Sequence, residues 1–146
     1  MIGTPSPAVL GDPVDAAQFQ IVNGQLQQSI AGGSWLYAIV DTPANSSVVK
    51  LGVTWSTEPA TSGTFMWSGD TVEWSSPNIS RPQDNVRNSD RYYGVFTEYR
   101  MQAWLVCPDA AGNQLLYVNL GPYDYDTPSG CADETIHAYT GATPTD

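Results

Sequence analysis

Arg100-Met101-Gln102-Ala103-Trp104-Leu105-Val106-Cys107-Pro108, a short turn, and then Leu115-Leu116-Tyr117-Val118-Asn119-Leu120-Gly121 are the two runs that decide the fold class. Each is short, apolar and bounded by turn formers, which is the signature of a strand. A polar loop rich in Pro and Gly follows, and then Cys131 and Thr135-Ile136-His137-Ala138-Tyr139, which reads as a final strand. Cys107 closes the first run and Cys131 opens the last. Two cysteines at strand ends around one polar loop suit a structural bridge, with two reduced thiols as the alternative. A Cys107–Cys131 bridge places the chain in an oxidising compartment.

Upstream the same grammar recurs. Ala17 to Val22 alternates, with Phe19 and Ile21 on one face, and Asn23-Gly24 is the strongest short hairpin signal before Gln25-Leu26-Gln27 and Ile30. Ser34 to Asp41 is apolar on both faces and reads as a central strand covered on both sides. Ser47 to Trp55 puts Val49, Leu51, Val53 and Trp55 on one face. Thr64–Trp67 and Thr71–Trp74 flank Ser68-Gly69-Asp70 as a compact hairpin, in which Trp67 and Trp74 are expected to meet. Tyr92 to Val106 reads as one long strand region. The expectation is an all-β chain, an antiparallel β-sandwich or barrel of eight or nine strands with one disulfide. Residues 1–14 read as a flexible N-terminal arm on which Val9-Leu10 could dock, 15–140 as a single β domain, and 141–146 as a tail.

Charge narrows the partners. The 146 residues carry one Lys and four Arg against fifteen acids, for a net charge of −10. Nucleic acid and anionic membrane surfaces both call for basic patches, so neither is an expected partner. No stretch reaches the length of apolar residues that a membrane span needs. Met1–Pro7 has neither a basic n-region nor an apolar h-region, so the chain reads as cytosolic or as a mature form with a start Met. The cysteines favour the second. Asn45-Ser46-Ser47 and Asn78-Ile79-Ser80 are glycosylation sequons in loop-like sequence, and they lean the same way. The expected location is extracellular, with the cell wall as one possibility. The oligomeric state is left open.

Ala103-Trp104-Leu105-Val106-Cys107-Pro108, Leu116-Tyr117-Val118-Asn119-Leu120-Gly121 and Pro128-Ser129-Gly130-Cys131 together resemble the C-terminal half of a family of small secreted fungal proteins. These are the phialide-associated cell-wall (PhiA-like) proteins, often labelled IgE-binding proteins. Gly33-Ser34-Trp35-Leu36-Tyr37-Ala38 is similar to an earlier strand of such proteins. The resemblance is specific over the last forty residues and loose elsewhere. The Arg-containing Ser75–Arg91 stretch departs from the family, as does the lack of the additional cysteines that some members carry. The resemblance implies a non-enzymatic, extracellular or wall-associated β protein and brings no catalytic residues.

The candidate chemistry is sparse. His137 is the only histidine and sits in the expected last strand, which suits a structural role, and no Gly-x-Ser-x-Gly motif is present. Asp70, Glu73 and Glu98 are the acids from which a glycosidase pair would come, but no spacing selects them. Tyr123-Asp124-Tyr125-Asp126 offers Asp124 and Asp126 as weak Ca²⁺ ligands, and an exposed acidic turn is the simpler reading. No cofactor is expected. Long loops tend to carry function, and Ser75–Arg91 holds three of the four arginines beside Tyr92 and Tyr93. Arg87, Arg91, Tyr92, Tyr93, Tyr123 and Tyr125 are therefore the expected ligand edge, pairing aromatic faces with the planar Arg fork. The expected function is non-enzymatic, lectin-like recognition of a glycan or cell-wall polysaccharide. The alternatives are a structural or host-interaction protein of allergen or immunomodulatory type without a small ligand, and a small secreted glycoside hydrolase.

Overall fold

The computed structural model describes residues 6–11, 17–77, 79, 100–101, 103–121 and 126–138. These residues form twelve strands and no helix. A nine-stranded antiparallel sheet contains β1 (Ser6–Pro7), β2 (Val9–Leu10), β3 (Phe19–Val22), β4 (Gln25–Ile30), β5 (Ser34–Val40), β6 (Lys50–Ser56), β10 (Trp104–Pro108), β11 (Gln114–Asn119) and β12 (Ala132–Glu134). Its main path runs β12-β10-β11-β6-β5-β4-β3 and does not close into a barrel. The second sheet is β7-β8-β9, from Thr64–Ser68, Thr71–Ser75 and Arg100–Met101.

The two sheets share one core. Alternation turns Leu36, Ala38, Val40, Leu51, Val53, Trp104 and Val118 to the inner face of the large sheet, and all are buried. Phe65, Val72 and Trp74 of the small sheet pack against them. Trp104 lies parallel to Phe65 with ring centres 6.4 Å apart, and its Nε1–H donates to the Val72 carbonyl at 3.1 Å. One indole thus contributes apolar area and satisfies a strand carbonyl across the sheet interface.

Turn chemistry sets the register. Asn23 and Gly24 have φ of 50° and 77°, the doubly left-handed turn that matches strand twist, and Val22 then faces Gln25. In the β7–β8 hairpin the Gly69-Asp70 turn opposes Ser68 to Thr71. Phe65 therefore faces Trp74, and Trp67 faces Val72; the expected Trp67–Trp74 pair would need the turn to fall one residue later, at Asp70-Thr71. A further correction concerns β5. It is central, between β4 and β6, but among the described residues only its inner face is covered. Leu36 and Ala38 are fully buried, while Tyr37 and Ile39 are half-exposed and Trp35 is exposed.

The expected flexible arm over residues 1–14 is also corrected where it is described. β6 and β11 pair only from Lys50–Asn119 to Gly52–Tyr117. Beyond that point Ser6–Leu10 fills the gap between them. Ser6 and Pro7 pair with Trp55 and Thr54 of β6, and Val9 and Leu10 pair with Leu115 and Gln114 of β11. At the apex, Ala8 N–H donates to the Val53 carbonyl at 2.8 Å, and its carbonyl accepts from Leu116 N–H at 2.9 Å. Two-residue strands have no period to read, so sequence patterning shows only that Val9-Leu10 can dock.

The C-terminal strand is displaced from its expected place. The register Trp104↔Glu134, Leu105↔Asp133, Val106↔Ala132 brings Cys131 opposite Cys107. The two are bonded, with Cα atoms 4.2 Å apart across a separation of 24 residues. A loop of this length is worth about 3 kcal/mol in the chain-entropy account. Pairing begins directly after the bridge, so the strand is Ala132–Glu134. Ile136–Ala138 instead crosses to β8, where Ile136 accepts from Val72 N–H and His137 bridges to Thr71. The long strand expected over 92–106 appears as β9 and β10, and residues 92–99 lie outside the described residues.

Two outcomes follow from this packing. Ala8 is 4% exposed at the apex of the fork, so Ala8→Leu has to displace the β6 or β11 backbone. Urea unfolding is expected to show a loss of about 1–3 kcal/mol, the usual range for overpacking. The second concerns the β10–β11 turn. Asp109 accepts from Asn113 Nδ2, Asn113 N–H and Ala111 N–H at 2.8, 2.9 and 2.8 Å. The Asn113 side-chain bond leads the causes that hold the carboxyl below the usual 3.8. A depressed folded-state value adds stability above the unfolded value, and that stability is lost as pH falls through the folded one. A carboxyl NMR titration of the folded protein should place the Asp109 midpoint below that of a free Asp, and Asn113→Ala should move it back up.

Candidate functional site

The 25 residues from Ala16 to Val40 contain no Asp, Glu, Lys, Arg or His, between Asp15 and Asp41, in a chain of net charge −10. The described part of this run folds into β3, β4 and β5, one whole end of the large sheet. Strand alternation sends its apolar half inward and leaves an uncharged outer face. Register places Gln20 opposite Gln27, Gln27 opposite Tyr37, and Tyr37 opposite Ser56 of β6. These four side chains form one row across four strands, a span of about 14 Å at the usual strand spacing. Trp35 stands one step along β5, opposite Ser29, and is 36% exposed.

The row is held in place. Gln20 Nε2 donates to Gln27 Oε1 at 3.3 Å. That bond uses one donor of Gln20 and one acceptor of Gln27, out of the two donors and two acceptor lone pairs that each amide owns. Tyr37 and Trp35 project from a central strand hydrogen-bonded on both sides, so their rings sit on a rigid base. At the rim on the other face, Phe19 stacks on Trp55 with centres 5.3 Å apart and planes at 20°, and Phe19 is 49% exposed. The neutral zone ends at β6 and β11. There Lys50 Nζ lies 4.3 Å above the Tyr117 ring, and Asp41 leans over Gly52, where a Cβ would meet Asp41 Oδ2 at 2.6 Å.

Amides and aromatic rings on an uncharged, pre-formed surface suit a neutral polyhydroxylated ligand. Hydroxyls both donate and accept, as amides do, and sugar C–H faces pack on rings. No ionic group here has to be stripped of water to admit such a ligand, which removes the largest polar cost of binding.

Arg87, Arg91, Tyr92, Tyr93, Tyr123 and Tyr125 lie outside the described residues, as do Asp124, Glu98 and Asn78. Asp126 is exposed, and among the described residues no cluster of three or more His, Cys, Asp or Glu could hold a metal. Asn45 is exposed in the β5–β6 loop with Oδ1 accepting from Ser47 N–H at 2.9 Å. Asp70 and Glu73 do not form an open carboxylate pair: Asp70 is at the hairpin tip in solvent, and Glu73 is 2% exposed. His137 Nδ1 lies 3.1 Å from Asp70 Oδ2. With Ala138 N–H donating to the Asp70 carbonyl at 2.6 Å, this contact fastens Ile136–Ala138 to the hairpin tip. Among the described residues no helix is long and apolar enough to cross a membrane. The disulfide fits an extracellular protein.

Aromatics near loops do not point to the Gln and aromatic row. Its signal is a negative one, the absence of charge over a long run, and it becomes a surface only when β3, β4 and β5 align. Residues 5–138 match the family model described as a domain of unknown function (DUF7907). No curated protein and no solved structure matches the chain.

Proposed function

The chain belongs to the DUF7907 family, and we propose that it is a secreted, non-enzymatic module that binds uncharged polysaccharide on the outer face of β3–β6. One observation carries this reading: the charge-free run from Ala16 to Val40 becomes a continuous face with Trp35, Tyr37, Gln20 and Gln27 in one pattern. Elsewhere the acidic surface keeps the molecule soluble and repels polyanions. Its neutral face is where a neutral polymer can lie flat without displacing ionic hydration. Secretion is supported by the Cys107–Cys131 bond, and attachment at a cell wall by the resemblance of the last forty residues to PhiA-like proteins.

The direct test is co-sedimentation with insoluble neutral polysaccharides (a β-glucan, chitin, cellulose) and with an acidic one such as pectate. The parent should bind a neutral polymer, bind pectate weakly, and change little with salt. Trp35→Ala should weaken binding at least about tenfold, as loss of a central Trp contact does. Gln27→Glu, which puts a charge into the row, should weaken it as strongly. Arg87→Ala with Arg91→Ala should leave it intact. Binding lost in the arginine variant but kept in Trp35→Ala would move the site to Arg87–Tyr93. No binding to any polymer would favour the structural or host-facing alternative.

A further inference from the structure

The two sulfurs of the disulfide are in unlike surroundings. Cys107 is 3% exposed, inside β10 between β11 and β12. Cys131 is half-buried and ends the Pro128–Cys131 turn, its N–H donating to the Pro128 carbonyl at 2.9 Å. Lys50, the only lysine in the chain, places Nζ 3.5 Å from Cys107 Sγ while lying over the Tyr117 ring. The ammonium therefore touches the sulfur of the more buried cysteine. Asp133 is the acid on the same face of β12, and its oxygens are engaged by Asn119 Nδ2 at 2.6 Å and by the Thr127 hydroxyl.

We propose that Cys131 is a reversible S-thiolation site for low-molecular-weight thiols, with Cys107 as the leaving sulfur and Lys50 as the group that holds its negative charge. An incoming thiolate attacks Cys131 Sγ. A new bond forms between the incoming sulfur and Cys131, the Cys107–Cys131 bond breaks, and its electron pair leaves on Cys107 Sγ. The charge moves from the incoming thiolate to Cys107, no net proton is transferred, and the thiol is the only co-reactant. Two features give the step its direction. Cys131, at the turn, is the less buried residue of the pair, and the thiol of lower pKa is the better leaving group. Apolar burial alone would raise the Cys107 thiol, whereas a neighbouring ammonium lowers it.

The fold also makes the adduct reversible. Beside the bond, β12 pairs with β10 and Asn119 Nδ2 donates to Asp133, non-covalent contacts that do not require the bridge itself. Cys107 stays beside Cys131 and can expel the added thiol. The adduct accumulates only under excess thiol or when Cys107 is alkylated.

The experiment treats the oxidised protein with excess glutathione, traps free thiols with iodoacetamide, and maps both groups by peptide mass spectrometry. Glutathione is expected on Cys131 and the alkyl group on Cys107. Lys50→Met should slow opening severalfold, because a thiol of higher pKa leaves more slowly. Lys50→Arg should restore most of the rate. A purely structural Lys50 would not move a second readout, the thiolate absorbance of Cys131→Ser. There Cys107 should titrate below the ordinary value of about 8.5 and rise when Lys50→Met is added. Glutathione on Cys107, an unchanged rate in Lys50→Met, or a Cys107 titration at or above the ordinary value would each overturn the proposal. Should Lys50→Met fail to fold, the glutathione map of the parent and the Cys131→Ser titration still decide it.

Discussion

β6 divides one edge between two partners, and the large sheet depends on that division. Its first residues pair with β11, and its last pair with the inserted Ser6–Pro7. A strand that separates from its neighbour leaves a row of amide and carbonyl groups that must be satisfied. Ser6–Leu10 satisfies them on both sides of the gap, with Ala8 bonded to Val53 and Leu116 at the apex. The insert thereby closes the middle of the sheet over the Leu51, Val53 and Val118 layer. The Trp104 indole then ties that layer to the small sheet through Val72.

A rigid centre lets the β3–β5 end act as a platform. Those strands contribute no charge, so their outer face is held by backbone ladders and the Gln20–Gln27 bond. The charged groups Lys50 and Asp41 stand at its border, where β6 meets β11 and β5. The cross-strand Cys107–Cys131 bond secures the far end of the sheet. One end of the large sheet is thus a neutral surface and the other carries the cross-link, with the filled gap between them.

Local signals read well where one physical rule sets the outcome. Asn23-Gly24 dictates its turn, and two cysteines around a single loop pair with each other. The hairpin over residues 64–75 is legible as an element, but the Trp67–Trp74 pairing is not, because register depends on where the turn falls rather than on aromatic matching. Apolar content points to a final strand at Thr135–Tyr139, whereas the bridge makes pairing begin at Ala132. The insert at Ser6–Leu10 escapes because two-residue strands carry no period, and its partners lie more than forty residues away. The neutral face escapes for a related reason. Aromatics draw attention to loops, while Trp35 and Tyr37 look like core until it is seen that only one side of β5 is covered.

Amide-resolved NMR with a soluble neutral oligosaccharide tests the neutral-face reading most directly. The account predicts shifts concentrated in Phe19–Val40 together with the Trp35 indole N–H, and none of comparable size around Lys50, Cys107 or the hairpin tip at Asp70. Shifts confined to residues 80–99 and 122–125, or a spectrum unchanged by every neutral oligosaccharide, would contradict it.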